Sequence, residues 1–293
     1  MEYYVRIDGG IGRCIAATGA VVKFAKDKKV NVVTSFPFCF EGLENIERVY
    51  PIGTPFLYED KISQGIYLEP EPYNHYAYYA EHKHLSQVFN ILLNNCDEFI
   101  APIIRLTENE KNNGKQMICK EKKGKKVVLV QPFSSNGGKP ILATKSVAID
   151  ESYRSLGYEF LKKLCDRLND EGYSPIIVKS PEQAGYENSR EVKTNPRGIF
   201  SLIPSVDGII CCDSFLHHAS AGLGTPVKTI VLWAGTDKRN LSYPEQINIC
   251  SVSDSLVEPN RIPHDHAYYV TKNKGINENF NVEDVIKALK NKK

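Results

Sequence analysis

At 293 residues the chain is longer than one hydrophobic core usually serves, so two α/β units of about 100 to 150 residues each are expected. Hydrophobic residues make up 42% and charged residues 25%, and no apolar run approaches the roughly 18 residues that span a bilayer, which excludes a membrane-inserted protein. The net charge of +2 is too small for its sign to identify a polyanionic partner, and the eight scattered cysteines form neither a CxxC pair nor a metal-ligand spacing.

The opening MEYYVRIDGG has no basic region followed by an apolar stretch and no small-residue cleavage site, so the expected compartment is the cytoplasm. YYVRI reads as a strand, DGGIGR as a glycine loop, and CIAATGAVVKFAKDK as a helix with Ile15, Val21, Val22, Phe24 and Ala25 at helical spacing. VNVVTS and ERVYPIG supply two further strands. Residues 58–82, dense in tyrosine, proline and acids without a period, read as a long excursion of the kind that carries binding function. HLSQVFNILLNN is expected to be helical, and DEFIAPIIRL to be the strand that closes the first unit.

Seven lysines between Thr107 and Lys126, with no long apolar stretch, suggest a solvated connection. KKVVLVQPF then restarts a strand, and SLGYEFLKKLCDRLNDEG is an amphipathic helix with Leu156, Phe160, Leu161, Leu164 and Leu168 on one side. Strands SPIIVKS, DGIICCDS and TPVKTIVLWAGT follow, with FLHHASAGLG as a helix between the last two, and VEDVIKALKNKK is a closing helix whose charges suit the helix dipole. The chain thus divides into an α/β unit over 1–110, a Lys-rich connection over 111–126, a second α/β unit over 127–280 and a C-terminal helix over 281–293.

Two loops can carry chemistry. Gly9, Gly10 and Gly12 lie between a strand and a helix, where backbone amides can approach phosphate, but GGIGRCI does not complete G-x-G-x-x-G and VVTS ends without the acid that holds a ribose hydroxyl. A dinucleotide cofactor is therefore not expected. Asp8 at that strand's C-terminal end can act as a general base and Arg13 can hold a phosphate, although a simple Asp8–Arg13 ion pair explains both residues equally well. In IICCDSFLHHASAGLGTPV, Asp213 or Ser214 can cap the helix whose free amides accept a diphosphate, and His217 or His218 can supply a hydrogen bond or charge to it. The plainer alternative is a helix cap followed by small residues that permit close packing.

The pattern D-S-x-x-x-H-x-x-A-x-L-x-x-P, present as Asp213, Ser214, His218, Ala221, Leu223 and Pro226, resembles the donor-site motif of the ADP-heptose:lipopolysaccharide heptosyltransferase family. WAGTD, the GGIG loop and QPFSSN fall in the family's order as well. The resemblance implies the GT-B fold: two facing Rossmann-like domains with parallel sheets and an interdomain cleft, the acceptor on the first and the nucleotide-sugar on the second. It implies a glycosyltransferase, inverting and metal-independent, with Asp213, Ser214, Phe215 and His218 at the donor phosphates and sugar, Ser134 and Ser135 near the phosphates, and Lys179 and Ser180 near the nucleoside. No cofactor and no metal are expected; the nucleotide-sugar, ADP- or UDP-linked, is a co-substrate.

The chain departs from the family at Arg13, which stands where an aspartate usually serves as the base. Asp8 is then the expected base, with Glu41 and the acids of the tyrosine-rich excursion as alternatives, and Arg13 gives electrostatic support. For the acceptor, Tyr73, His75 and Tyr76 can stack a sugar or an extruded base, and the Lys111 to Lys126 cluster can follow a phosphate backbone. A solvated linker accounts for the lysines at least as well. Some GT-B enzymes of bacterial viruses glycosylate hydroxymethylated DNA bases, and the chain lacks the basic amphipathic helix expected for work on a membrane glycolipid; the resemblance thus favours a hydroxymethylated base in viral DNA, with lipopolysaccharide or another glycan close behind. A nucleotide-sugar epimerase and a noncatalytic binding protein remain as readings from other classes.

Overall fold

The computed structural model describes residues 1–122, 124–134, 141–143, 147–149, 154–180, 183, 186–234, 236–251 and 280–291. The first half is built on a parallel sheet in the order β3-β2-β1-β4. β1 (Glu2–Ile7) leads through the glycine loop into α1 (Ile11–Phe24), then β2 (Lys29–Thr34) and β3 (Ile46–Pro51). The tyrosine-rich excursion contains more order than its composition suggests: α2 (Leu57–Asp60), β4 (Ile66–Leu68) and α3 (Tyr76–Tyr79). Only three residues of β4 pair with β1, too few for a hydrophobic period to show in the sequence. α4 (Leu85–Asn94) then packs along α1.

DEFIAPIIRL does not form the expected strand. Its backbone is satisfied by side chains and by the other half of the molecule: Asn90 Nδ2 donates to the Glu98 carbonyl (2.9 Å), the Ile103 amide to Thr18 Oγ1 (2.7 Å) and the Ile104 amide to the Gly222 carbonyl (2.7 Å). The Lys-rich stretch is likewise not a solvated coil. Lys111, Lys115, Lys120 and Lys122 lie in α5 (Glu108–Lys122), started by a capping box in which Thr107 and Glu110 exchange side-chain to backbone bonds, and anchored by buried Ile118.

The second half is a six-stranded parallel sheet in the order β12-β11-β10-β5-β8-β9. Its members are β5 (Lys126–Gln131), β8 (Tyr173–Ile177), β9 (Arg190–Glu191), β10 (Gly208–Cys212), β11 (Thr229–Trp233) and β12 (Ile247–Cys250), while β6 (Ile141–Ala143) and β7 (Val147–Ile149) pair as a separate hairpin. The helices are α6 (Tyr158–Asp170), α7 (Pro196–Leu202), α8 (Phe215–Leu223), α9 (Lys238–Leu241) and α10 (Val282–Lys290). α6 and α10 cover one face of this sheet, with Phe160, Leu164, Val285 and Leu289 in its core. No described helix is long and apolar enough to cross a membrane.

The other face merges with the first half. Val5, Ile15, Ile104, Leu129, Ile209 and Leu216 belong to one continuous core, so the two sheets share their apolar interior. Polar ties lock the same seam. Arg197 on α7 donates to both carboxylate oxygens of Glu110, to the Phe38 carbonyl (3.0 Å) and to the Arg105 carbonyl; Asn240 Nδ2 donates to the carbonyls of Tyr78 (2.9 Å) and Lys83 (3.0 Å).

Candidate functional site

At the C-terminal rim of the second sheet, the wholly buried strand β10 delivers Asp213 into a pocket of protein where its side chain is 3% exposed. A carboxylate there survives only if it is paired. Arg154 Nη1 lies 3.1 Å from its Oδ2 and His217 Nε2 lies 3.2 Å from its Oδ1. Burial works against ionisation, but the Arg154 charge and the His217 contact outweigh it and hold the carboxyl well below the usual carboxylate range.

Neither Asp213 nor Ser214 caps α8. Gln131, the last residue of β5, does so from the neighbouring strand: its Oε1 accepts from the Leu216 amide (3.2 Å) and from Ser214 Oγ (2.7 Å). One of the helix's free amides is thereby used, and Arg154 places a guanidinium at the same helix start through its bond to Asp213. Both residues escaped the sequence reading. Gln131 sits beside the quoted QPF segment, so its strand-end position was the available signal; Arg154 follows an aperiodic stretch that gave none.

His218 is buried, with Nδ1 2.7 Å from the Tyr243 hydroxyl, and burial together with neighbouring His217 drives its pKa well below the usual histidine value. It is neutral at pH 7 and can offer a hydrogen bond but not the positive charge considered from sequence. Asp213, His217 and His218 bring their ligand atoms within 4.8 Å of one another, a grouping of the kind that can hold a metal ion. The Arg154 guanidinium on the same carboxylate opposes a divalent cation there.

The remaining donor candidates lie on the same rim. The Ser134 amide donates to Ser155 Oγ (3.1 Å), the Ser180 amide to Gln183 Oε1 (2.8 Å), and Lys179 Nζ pairs with Glu191 (3.3 Å). Phe215 packs against Phe200 at 6.1 Å between ring centroids. Ser135 lies outside the described residues.

The rim of the first sheet is open and charged. Gly9 takes φ +100°, a turn that L side chains rarely adopt, and Gly10 precedes α1 in extended conformation. Asp8 does not pair with Arg13. Its Oδ1 accepts from the Gly9 amide (2.7 Å) and Ser35 Oγ (2.7 Å), and its Oδ2 from Arg6 Nη2 (2.9 Å). Partial burial opposes its ionisation, but Ser35, Arg6 and the Gly9 amide prevail and lower its pKa.

Arg13 turns instead to Glu71 Oε2 (2.9 Å) and the Pro70 carbonyl (3.3 Å), with its guanidinium over Tyr73 and Phe89. Gly12 joins the two rims: a Cβ there would lie 2.6 Å from His218 Cδ2, so only glycine lets α1 approach the donor-motif helix this closely.

Of the acceptor candidates, Tyr73 packs edge-on to Tyr78 beside Arg13, and His75 Nδ1 accepts from the Ala77 amide to cap α3. Tyr76, 60% exposed, is the one of the three that offers a large free ring face. The lysines sit differently from the expectation. Lys122 pairs with Asp207, just before β10 begins, and Lys126 opens β5, whereas the rim lies at Gln131, about 16 Å further along the strand. The C-terminal part of the cluster thus faces the opposite edge of the sheet from the donor motif. A pocket of about 470 Å³ that no sequence feature indicated opens at the seam behind His218, walled by His84, Phe99 and Tyr243.

No protein-family model matches the chain, and none of the curated proteins matches it. Solved structures do match. The ADP-heptose lipopolysaccharide heptosyltransferase II of E. coli is 13% identical with a TM-score of 0.60, over 99% of this chain and 98% of that one. A glycosyl transferase of family 9 from Veillonella parvula is 10% identical with a TM-score of 0.66, over 98% and 95%. The dodecameric iron-containing glycosyltransferase TibC of enterotoxigenic E. coli is 10% identical with a TM-score of 0.65, over 98% and 75%. The fold is therefore that of heptosyltransferase-type glycosyltransferases, the GT-B arrangement that the sequence resemblance implied.

Proposed function

We propose that the protein is a glycosyltransferase that moves a sugar from a nucleoside-diphosphate sugar to an acceptor hydroxyl. The observation that carries this reading is the buried Arg154–Asp213–His217 arrangement at the N-terminus of α8, on the rim where open parallel sheets bind ligands. Arg154 and the amides of Ser214 and Phe215 stabilise the departing diphosphate, and neutral His218 donates or accepts a hydrogen bond beside it. Ser134, Ser135, Lys179 and Ser180 complete the donor pocket toward the nucleoside. The transfer inverts and uses no metal, as the family resemblance implies, and it takes place in the cytoplasm.

An adenosine diphosphate sugar is the first donor to test, because the E. coli heptosyltransferase similar in fold acts with ADP-heptose. The acceptor binds at the first rim, with the exposed Tyr76 ring as a stacking face. The position of Lys122 and Lys126 removes the support of the lysine cluster for a DNA acceptor and moves the reading toward a glycan hydroxyl. Melting temperature is measured with ADP, UDP and inorganic pyrophosphate; a nucleotide at roughly 100 times its Kd adds about 2.7 kcal/mol of stability. If none of them raises the melting temperature, the donor reading is wrong. An epimerase would turn over the donor sugar without an acceptor, and a noncatalytic protein would bind nucleotide without ever releasing it from a sugar.

A further inference from the structure

The first rim carries three carboxylates just past neighbouring strands, Asp8 after β1 and Glu69 and Glu71 after β4. Val5 of β1 is level with Leu68 of β4, and continuing that register past both strands brings Asp8 level with Glu71. Arg6 pairs with both Asp8 and Glu69, and Arg13 pairs with Glu71. We propose, resting on the donor reading, that Glu71 takes the proton of the acceptor hydroxyl, that Arg13 is its positioning residue, and that Asp8 serves to order the glycine turn.

Two differences favour Glu71 over Asp8. Asp8 accepts three hydrogen bonds, two of them at 2.7 Å on one oxygen, which leaves a single lone pair, on the oxygen bound to Arg6, for an incoming proton. Glu71 accepts two, from Arg13 Nη2 on Oε2 and from the Tyr73 amide on Oε1 (3.1 Å), one on each oxygen, so both oxygens keep an open lone pair, although its side chain is 28% exposed against 38% for Asp8. Asp8 is drawn toward Ser35 at the end of β2 and toward the Arg6–Glu69 pair (3.1 Å). Glu71 is drawn toward the first turn of α1, where Arg13 follows the glycine that touches His218.

Arg13 itself is well fixed, 11% exposed, bonded to Pro70 and stacked between Tyr73 and Phe89. The positive charge at position 13 thus holds a carboxylate contributed by the neighbouring strand's loop. Glu41 is a weaker candidate, 57% exposed and directed to Arg197 at 3.8 Å. In the step assigned to Glu71, the acceptor proton passes to a Glu71 oxygen as the acceptor oxygen bonds to the anomeric carbon. The bond from that carbon to the diphosphate oxygen breaks, and its electron pair leaves with the nucleoside diphosphate.

The test uses the full chain with ADP-heptose, ADP-glucose and UDP-glucose, water serving as the acceptor hydroxyl, and measures released ADP or UDP. E71Q is expected to lower release at least about 100-fold while the ADP- or UDP-induced rise in melting temperature persists. D8N, which loosens the glycine turn, is expected to cost about tenfold. R13Q should fall close to E71Q and R13K should recover most of the loss, a rescue that a merely structural role for the stacked guanidinium would not give. A 100-fold loss in D8N with less than tenfold in E71Q overturns the assignment. So does a wild-type protein that binds ADP or UDP but frees neither from any of the three donors, although the donor site would then still stand; absence of any nucleotide shift removes the donor site itself.

Discussion

The two rims that meet at Gly12 and His218 are built on opposite principles. On the second, one ionised carboxylate is sealed inside apolar strands and its charge is balanced by Arg154 and His217. In so dry a setting each polar contact is strong and every missing one is costly, so geometry there is fixed. On the first, the side chains of Arg6, Asp8, Glu69 and Glu71 are between 28% and 53% exposed and pair in a partly solvated network. Water can replace a lost partner there, and a residue can change without unfolding the chain. Arg13 is the exception on this side, 11% exposed and held among Glu71, Tyr73 and Phe89.

The contrast is broken most severely by D213A. Removing the buried carboxylate leaves Arg154 and His217 without their partner, and a loss of about 3–5 kcal/mol in urea unfolding is expected, against less than about 1 kcal/mol for D8A on the open rim. Equal losses at the two positions would mean the rims do not differ in kind. The seam itself gives the next largest effect. R197A abandons two carbonyls and Glu110 and is expected to cost about 3 kcal/mol. It should also change the acid limb of stability. The Arg197 bond is the main cause that holds Glu110 down at about 2 in the folded protein, below its ordinary 4.5. A depressed folded pKa gives stability that is fully present above pH 4.5 and is lost as pH falls toward 2, so the gap between wild type and R197A should narrow over that window. A gap that stays constant from pH 7 to pH 2.5 would show that the ion pair is not what ties the halves.

Much of this was legible in the residues, for definable reasons. Long periodic segments such as the α6 helix and continuous buried strands such as IICC announce themselves, because burial of a whole face constrains every position. The donor motif was legible because strand, turn and helix are contiguous. Partnerships across the fold were not. Nothing local says that Gln131 caps a helix more than eighty positions away, that Arg154 finds Asp213, or that Arg13 prefers Glu71 to Asp8. α5 was hidden by its lysines, although T-x-x-E at Thr107 to Glu110 is a helix-start signal that composition overrode. DEFIAPIIRL misled because its apolar residues pack without a neighbouring strand, Ile100 and Ala101 on Gly19 of α1 and Ile104 on Gly222 of α8, and such burial selects the same residue types as a strand.

The smallest expected effect probes the line where the rims touch. G12A places a methyl group 2.6 Å from the His218 ring, and the ring cannot swing away while Nδ1 is held by Tyr243. Overpacking of this kind costs about 1–3 kcal/mol. The strain has two outlets, a shift of α1 away from α8 or a rotation of His218, and Y243F separates them by freeing the ring. If His218 takes up the strain, the double variant G12A/Y243F should be more stable than the sum of the two single losses, by an interaction energy of about 0.5 kcal/mol or more. If α1 moves instead, the losses should add, and the Arg13–Glu71 pair one residue along should be displaced with it. A G12A protein as stable as wild type would mean that the rims are not in contact at this point, and the contrast between a sealed and an open side would then have to be explained by each half alone.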